Sequence, residues 1–204
     1  MRKVMSMLVV LVVLVVAGSS EAVIFEDDFG SYTAEGDYSL FDASADWSRD
    51  GTSTSYDVRV GTWYGGRALY KNNYYADTEV RYALATPTAG MADYVVSADG
   101  FVHDGYTKNS SEWYVAGRVG RGSYVRVGAV IAEAEGKQLI YARFADSSGV
   151  SIGDMYVADY DPASAIALEL ALEGDNVVGT VKHAGRSYTF DETTSVTGAG
   201  MAGM

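Results

Sequence analysis

The feature that most constrains this chain is a period of two. Apolar residues recur at alternate positions through Tyr94–Val102, Glu112–Gly120, Ser123–Glu133, Gln138–Ala145, Ser164–Glu173, Val177–His183 and Ser187–Phe190. Successive side chains of a strand point to opposite faces, so this spacing predicts half-buried β-strands. Between the segments stand Gly120-Arg121-Gly122, Glu135-Gly136-Lys137, Gly174-Asp175-Asn176 and Ala184-Gly185-Arg186. Glycine and asparagine accept positive φ, which tight hairpins require. Ala163 to Leu172 is rich in Ala, Leu and Glu, a helix-favouring composition. Yet Ile166, Leu168, Leu170 and Leu172 fall on one side of a strand and a Gly-Asp-Asn turn follows, so the segment reads as strand. Residues 30–57 are polar and aromatic and read as loops with short strands. The predicted fold is all-β: a two-sheet antiparallel β-sandwich.

Composition narrows what such a sandwich does. The 204 residues include no cysteine, which excludes a disulfide scaffold and cysteine zinc sites. A net charge of −12 lacks the basic footprint that nucleic acid demands, so nucleic acid is excluded as a partner. Residues 1–22 read as a signal peptide: Arg2 and Lys3, then the apolar run Leu8–Ala17, then the small-x-small site Ser20-Glu21-Ala22. As a helix those ten apolar residues would reach about 15 Å, half of the roughly 30 Å of a bilayer core. The mature chain, 23–204, is expected to carry −13 and no transmembrane span. It is expected outside the cytoplasm, as a secreted, periplasmic or cell-surface protein whose stability rests on its core.

Four stretches carry a family resemblance. They are Phe25-Glu26-Asp27-Asp28-Phe29, Asp93 to Ala98, the pair Trp113–Arg118 with Tyr124–Val127, and the Leu168-to-Val181 hairpin. Together they resemble the strand and turn pattern of the concanavalin A-like lectin/glucanase, or laminin G-like, superfamily. The resemblance implies a jelly roll, often with glycan on the concave face and a structural calcium ion on the convex side. It places calcium, Ca2+, at Asp27 and Asp28, an oxygen-donor site suited to an acidic, cysteine-free chain. It departs at the C-terminus, where a turn at Gly198–Gly203 precedes Met204, so the sequence reads as truncated there or as lacking the family's last strand.

Several motif lookalikes yield to plainer readings. Gly149-Val150-Ser151-Ile152-Gly153 matches a nucleophile elbow, with Asp175 and His183 following in hydrolase order, but Asp154-Met155-Tyr156-Val157 does not continue as the required helix. Gly198, Gly200 and Gly203 spell G-x-G-x-x-G with no room for a helix to receive a phosphate, and read as a turn. Glu133 and Glu135, i and i+2 on one strand, would stand about 7 Å apart, a separation compatible with glycosidase carboxylates. They continue the core-facing set Val125, Val127, Ala129 and Ile131 into a hairpin, which reads as a solvated strand end. His103 and His183 have no histidine partner at metal spacing.

The opposite parity is the sharper candidate. With Trp113, Val115, Gly117 and Val119 inward, Tyr114 and Arg118 face outward, joined by Tyr124 and Arg126 and by Tyr141 and Arg143 on the next strands. Tyrosine rings stack on sugar faces, and guanidinium forks hydrogen-bond hydroxyls or carboxylates. Trp63, Tyr64, Tyr74 and Tyr75 are candidates to rim a cleft over this face. The expected function is therefore non-catalytic binding of carbohydrate or another surface polymer, and the net acidity does not exclude an acidic glycan held locally by the three arginines. The competing expectations are a polysaccharide-degrading hydrolase or lyase, and a structural or adhesive surface module.

Overall fold

The computed structural model describes the backbone of residues 10–15, 22–27, 38–39, 45–50, 58–63, 66–71, 82–100, 111–120 and 122–204, and side chains within 45–48, 84–100, 112–120 and 122–204. Among these, the strands are β1 Val10–Val15, β2 Ala22–Asp27, β3 Tyr38–Ser39, β4 Trp47–Asp50, β5 Val58–Trp63, β6 Gly66–Lys71, β7 Tyr82–Ala85, β8 Tyr94–Gly100, β9 Ser111–Val119, β10 Val125–Ala134, β11 Lys137–Asp146, β12 Ser151–Asp159, β13 Ile166–Glu173, β14 Asn176–His183, β15 Arg186–Thr193 and β16 Met201–Gly203. One 3-10 turn spans Thr86–Thr88. No described helix is long and apolar enough to cross a membrane.

The strands pair antiparallel into a six-stranded sheet, β15-β14-β13-β8-β1-β2, and a seven-stranded sheet, β12-β11-β10-β9-β16-β7-β4, with β3-β5-β6 as a third. The two large sheets bury one shared core. Val96, Ala98, Leu168, Leu170, Leu172, Val177, Val181 and Phe190 meet Trp113, Val115, Val125, Val127, Ala129, Ile131, Ile140, Ala142 and Phe144 within it. Alternation dictates these sets: β13 reads buried at Ile166, Leu168, Leu170 and Leu172 while the residues between them stay accessible. The β-sandwich expected from the period of two is the observed architecture.

Local turn chemistry places the hairpins. Ala134 pairs with Lys137, Glu173 with Asn176, and His183 with Arg186, so each loop is two residues long. Ala184 and Gly185 both adopt positive φ, +48° and +76°, the mirror-image turn that matches strand twist. A Cβ in the left-handed region costs about 1–2 kcal/mol, so Ala184→Gly is expected to stabilise the fold by about 1 kcal/mol, read as a higher urea midpoint with unchanged slope.

Two features depart from the sequence reading, and one strand falls within the segment read as a leader. Ser151–Asp159 forms a full strand at the sheet edge, unforeseen because two register shifts interrupt its alternation. Met201–Gly203, read as part of a turn, is a strand between β9 and β7, with Ala202 buried. Val10–Val15, inside the expected leader, pairs with β8 on one side and β2 on the other.

Candidate functional site

The outer face of β9 to β12 gathers five of the six residues expected to bind ligand. Register sets Arg126 beside Ala116, Gly128 between Tyr114 and Arg143, and Val130 between Glu112 and Tyr141. Gly128 has a specific purpose here. A Cβ at this position would lie 2.2 Å from Cδ1 of Tyr114, so only glycine leaves room for that ring to lie across the strand. Arg126 then stands 4.3 Å from the Tyr114 ring centroid and 5.1 Å from that of Tyr124. A guanidinium over two ring faces is held by the ring quadrupoles, giving a rigid Tyr–Arg–Tyr stack.

The next layer is ionic. Arg143 donates through Nη1 to Glu112 and through Nη2 to Asp154, at 2.7 Å in the latter case. The Tyr114 hydroxyl donates to Glu112 as well. Burial together with the Glu112 hydrogen bond pushes the Tyr114 hydroxyl pKa up to about 12, so it stays a protonated donor at neutral pH. For Arg143, burial alone would favour the neutral form, but Asp154 and Glu112 outweigh it and raise its pKa further. Beyond Arg143, the rings of Tyr141 and Tyr156 meet edge to face at 6.3 Å, and Tyr156 is 51% exposed. At the other end, Tyr124 packs on a second small core of Leu84, Ala116 and Val119.

Arg118 does not belong to this face. It is fully buried, with φ +52°, and its guanidinium donates to the carbonyls of Ala92 at 2.8 Å and Val196 at 2.7 Å and to Asp93 at 3.2 Å. The cause is a bulge. Met201 pairs with Val119 but Gly203 with Ala116, so β9 carries one residue more than β16 across this stretch. The extra residue reverses the side-chain parity: Arg118 turns inward and Val119 outward. Strict alternation fails at that point.

Glu112, Asp154 and Tyr156 were missed. Glu112 had a legible signal, because it lies two residues before Tyr114 and therefore on the same face. Asp154 had none, since its position at φ +57° beside a register shift is set by pairing with β11.

The remaining sequence candidates lie elsewhere. Ser151 opens β12, whereas His183 is buried in the other sheet. Its Nε2 accepts the Asp161 N–H at 2.9 Å, and its Nδ1 is 3.2 Å from the Ala165 carbonyl. Glu133 and Glu135 are exposed at the β10–β11 hairpin, as a solvated strand end should be. Trp63 closes β5, while Tyr64, Tyr74, Tyr75 and His103 lie outside the described residues. Asp27 closes β2 with its side chain outside description, and Asp28 lies outside the described residues altogether. Among the described residues no three of His, Asp and Glu come together as a metal site. No family model, curated protein or solved structure matches this chain.

Proposed function

We propose that this chain is an exported recognition module that binds a neutral polyhydroxyl polymer, a glycan, on the outer face of β9 to β12 without catalysis. The observation that carries the reading is the set of rings on one sheet face, Tyr114 and Tyr124 either side of Arg126 and Tyr141 beside Tyr156. Tyr124 stands at the threshold of β10, and the set is stiffened by Arg126 and Arg143. Rings held in place lose little entropy on binding, and their apolar faces suit the C–H faces of sugars while hydroxyls and carboxylates meet the sugar hydroxyls.

Charge argues for a neutral ligand rather than the acidic one that three outward arginines would have left open. Arg118 is interior, and Arg143 is already matched by two carboxylates. The same pairing speaks against a hydrolase at this face, because Glu112 and Asp154 both spend themselves on Arg143. Export through a leader at 1–22, kinship with the concanavalin A-like superfamily and calcium at Asp27 and Asp28 belong to this proposal on the strength of the sequence.

The test is retention on immobilised neutral polysaccharides. Tyr141→Ala combined with Tyr156→Ala is expected to weaken binding about tenfold or more with the melting temperature preserved. Undiminished retention would sink the assignment. Release of new reducing ends from any polysaccharide would replace it with the enzyme reading.

A further inference from the structure

We propose that the chain self-associates through β15, two copies pairing their β15 strands antiparallel about a two-fold axis centred on Thr189, so that the β15-β14-β13-β8 arrays of the two copies become one sheet. Among the described strands, β15 borders only β14. Its eight residue pairs with β14 run without a register shift. The edge strand of the other sheet that packs against β15 is different: β12 is broken by two register shifts and a positive φ at Asp154, devices that discourage pairing with another strand. β15 has neither, and it contains no proline, glycine or lysine.

The phase of its hydrogen bonds is fixed by the two-residue turn. His183 and Arg186 close the hairpin as a hydrogen-bonded pair, so Arg186, Tyr188, Phe190 and Glu192 direct their backbone groups to β14. The same phase continues beyond the strand, where the Thr194 N–H donates to the Asp175 carbonyl at 2.9 Å. Ser187, Thr189 and Asp191 therefore turn their N–H and C=O groups outward, and their side chains are exposed.

The sequence Arg186-Ser-Tyr-Thr-Phe-Asp-Glu192 is complementary to itself when reversed. Centred on Thr189, the pairing sets Arg186 against Glu192 of the second copy, Ser187 against Asp191, Tyr188 against Phe190, and Thr189 against Thr189. Both charged pairs then fall at non-hydrogen-bonded positions, where side chains approach most closely. Tyr188, half-buried and already edge-on to Phe190 at 5.0 Å, gains a second aromatic neighbour. A slip of two residues either way sets Arg186 against Phe190 or Glu192 against Tyr188 and forfeits the charge match. The contact is isologous and closes as a dimer.

Sedimentation with charge reversal tests this. The wild-type chain is expected to dimerise, and Arg186→Glu and Glu192→Arg each to self-associate about tenfold or more weakly, since each places like charges opposite one another twice. Mixing the two variants is expected to restore a dimer, because every reversed charge then faces its opposite. Both positions lie at the strand surface, and unchanged melting confirms intact folding. Because the chain has no cysteine, Thr189→Cys is a clean second reporter. It is expected to cross-link to its copy with a short thiol-reactive reagent. Glu169→Cys, five strand spacings from its copy at roughly 24 Å, is expected not to. A wild-type chain that sediments as a monomer throughout its soluble range overturns the proposal. So does a dimer indifferent to both charge reversals, or equal cross-linking at the two cysteine positions.

Discussion

Arg118→Ala is expected to lower stability by about 3–5 kcal/mol, a fall of roughly 10 °C in melting temperature, and to leave the ring-lined face of β9 to β12 chemically unchanged. Among the described residues, Arg118 is the largest fully buried side chain. It ties three parts of the chain together: the Ala92–Asp93 approach to β8, the bulge in β9, and Val196 on the way to β16. Truncation would strip two part-buried carbonyls of their donor and leave a void. The surrounding bonds depend on the same point, since the Arg118 N–H donates to the Tyr94 hydroxyl at 2.6 Å, which donates in turn to the Gly200 carbonyl at 3.2 Å. Asp93 is half-exposed, so the ion pair itself contributes less than the carbonyl bonds. Arg118→Lys is expected to recover only part of the loss, because one ammonium cannot span all three acceptors. A melt unmoved by Arg118→Ala, with ligand retention reduced instead, would return this residue to the binding face.

The second large effect is expected at Asp146→Ala, about 3 kcal/mol of lost stability measured by urea unfolding. The carboxylate is buried at the end of β11 and accepts four hydrogen bonds. Those from the Ser148 N–H at 2.8 Å, the Ser148 hydroxyl at 2.7 Å and the Val150 N–H at 3.1 Å shape the turn into β12. The fourth, from the Thr194 hydroxyl, anchors the segment that leads to β16. Burial would by itself raise the Asp146 pKa, but the bonds from Thr194, Ser148 and Val150 outweigh it and hold the value below the ordinary 3.8. The unfolded chain therefore takes up this proton at higher pH than the folded one does. The stabilisation is complete above about 3.8 and drains away as pH falls through the lower folded value. Asp146→Asn is expected to be less destabilising at neutral pH and to lose less stability on acidification than the wild type. Parallel acid profiles for the two proteins would refute the role.

Both residues mark the boundary of what a strand pattern can show. Alternation located the strands from β8 through β11 and from β13 through β15, because a period of two is a property of neighbouring residues and needs no partner to be read. For the same reason the two-residue turns were legible, and so was the shared outward parity of Tyr114, Tyr124, Arg126, Tyr141 and Arg143. The bond from Thr194 to Asp146, 48 residues away, had no local signal. Asp154 and Tyr156 escaped because β12 breaks its alternation where it pairs with β11.

The sequence by itself determined the fold class, the hairpins of the C-terminal half and the chemical character of one sheet face, since all three follow from local spacing and local φ preferences. Only the tertiary structure decided which way Arg118 points and where the last residues go. The partners that hold them lie far along the chain: Arg118 reaches a carbonyl 78 residues away, and Ala202 donates its N–H to a hydroxyl 114 residues away. A buried guanidinium must find its acceptors wherever the fold brings them, and a bulge exists only relative to the strand it opposes. Neither relation has a local signature, so neither could be read before the sheets were assembled.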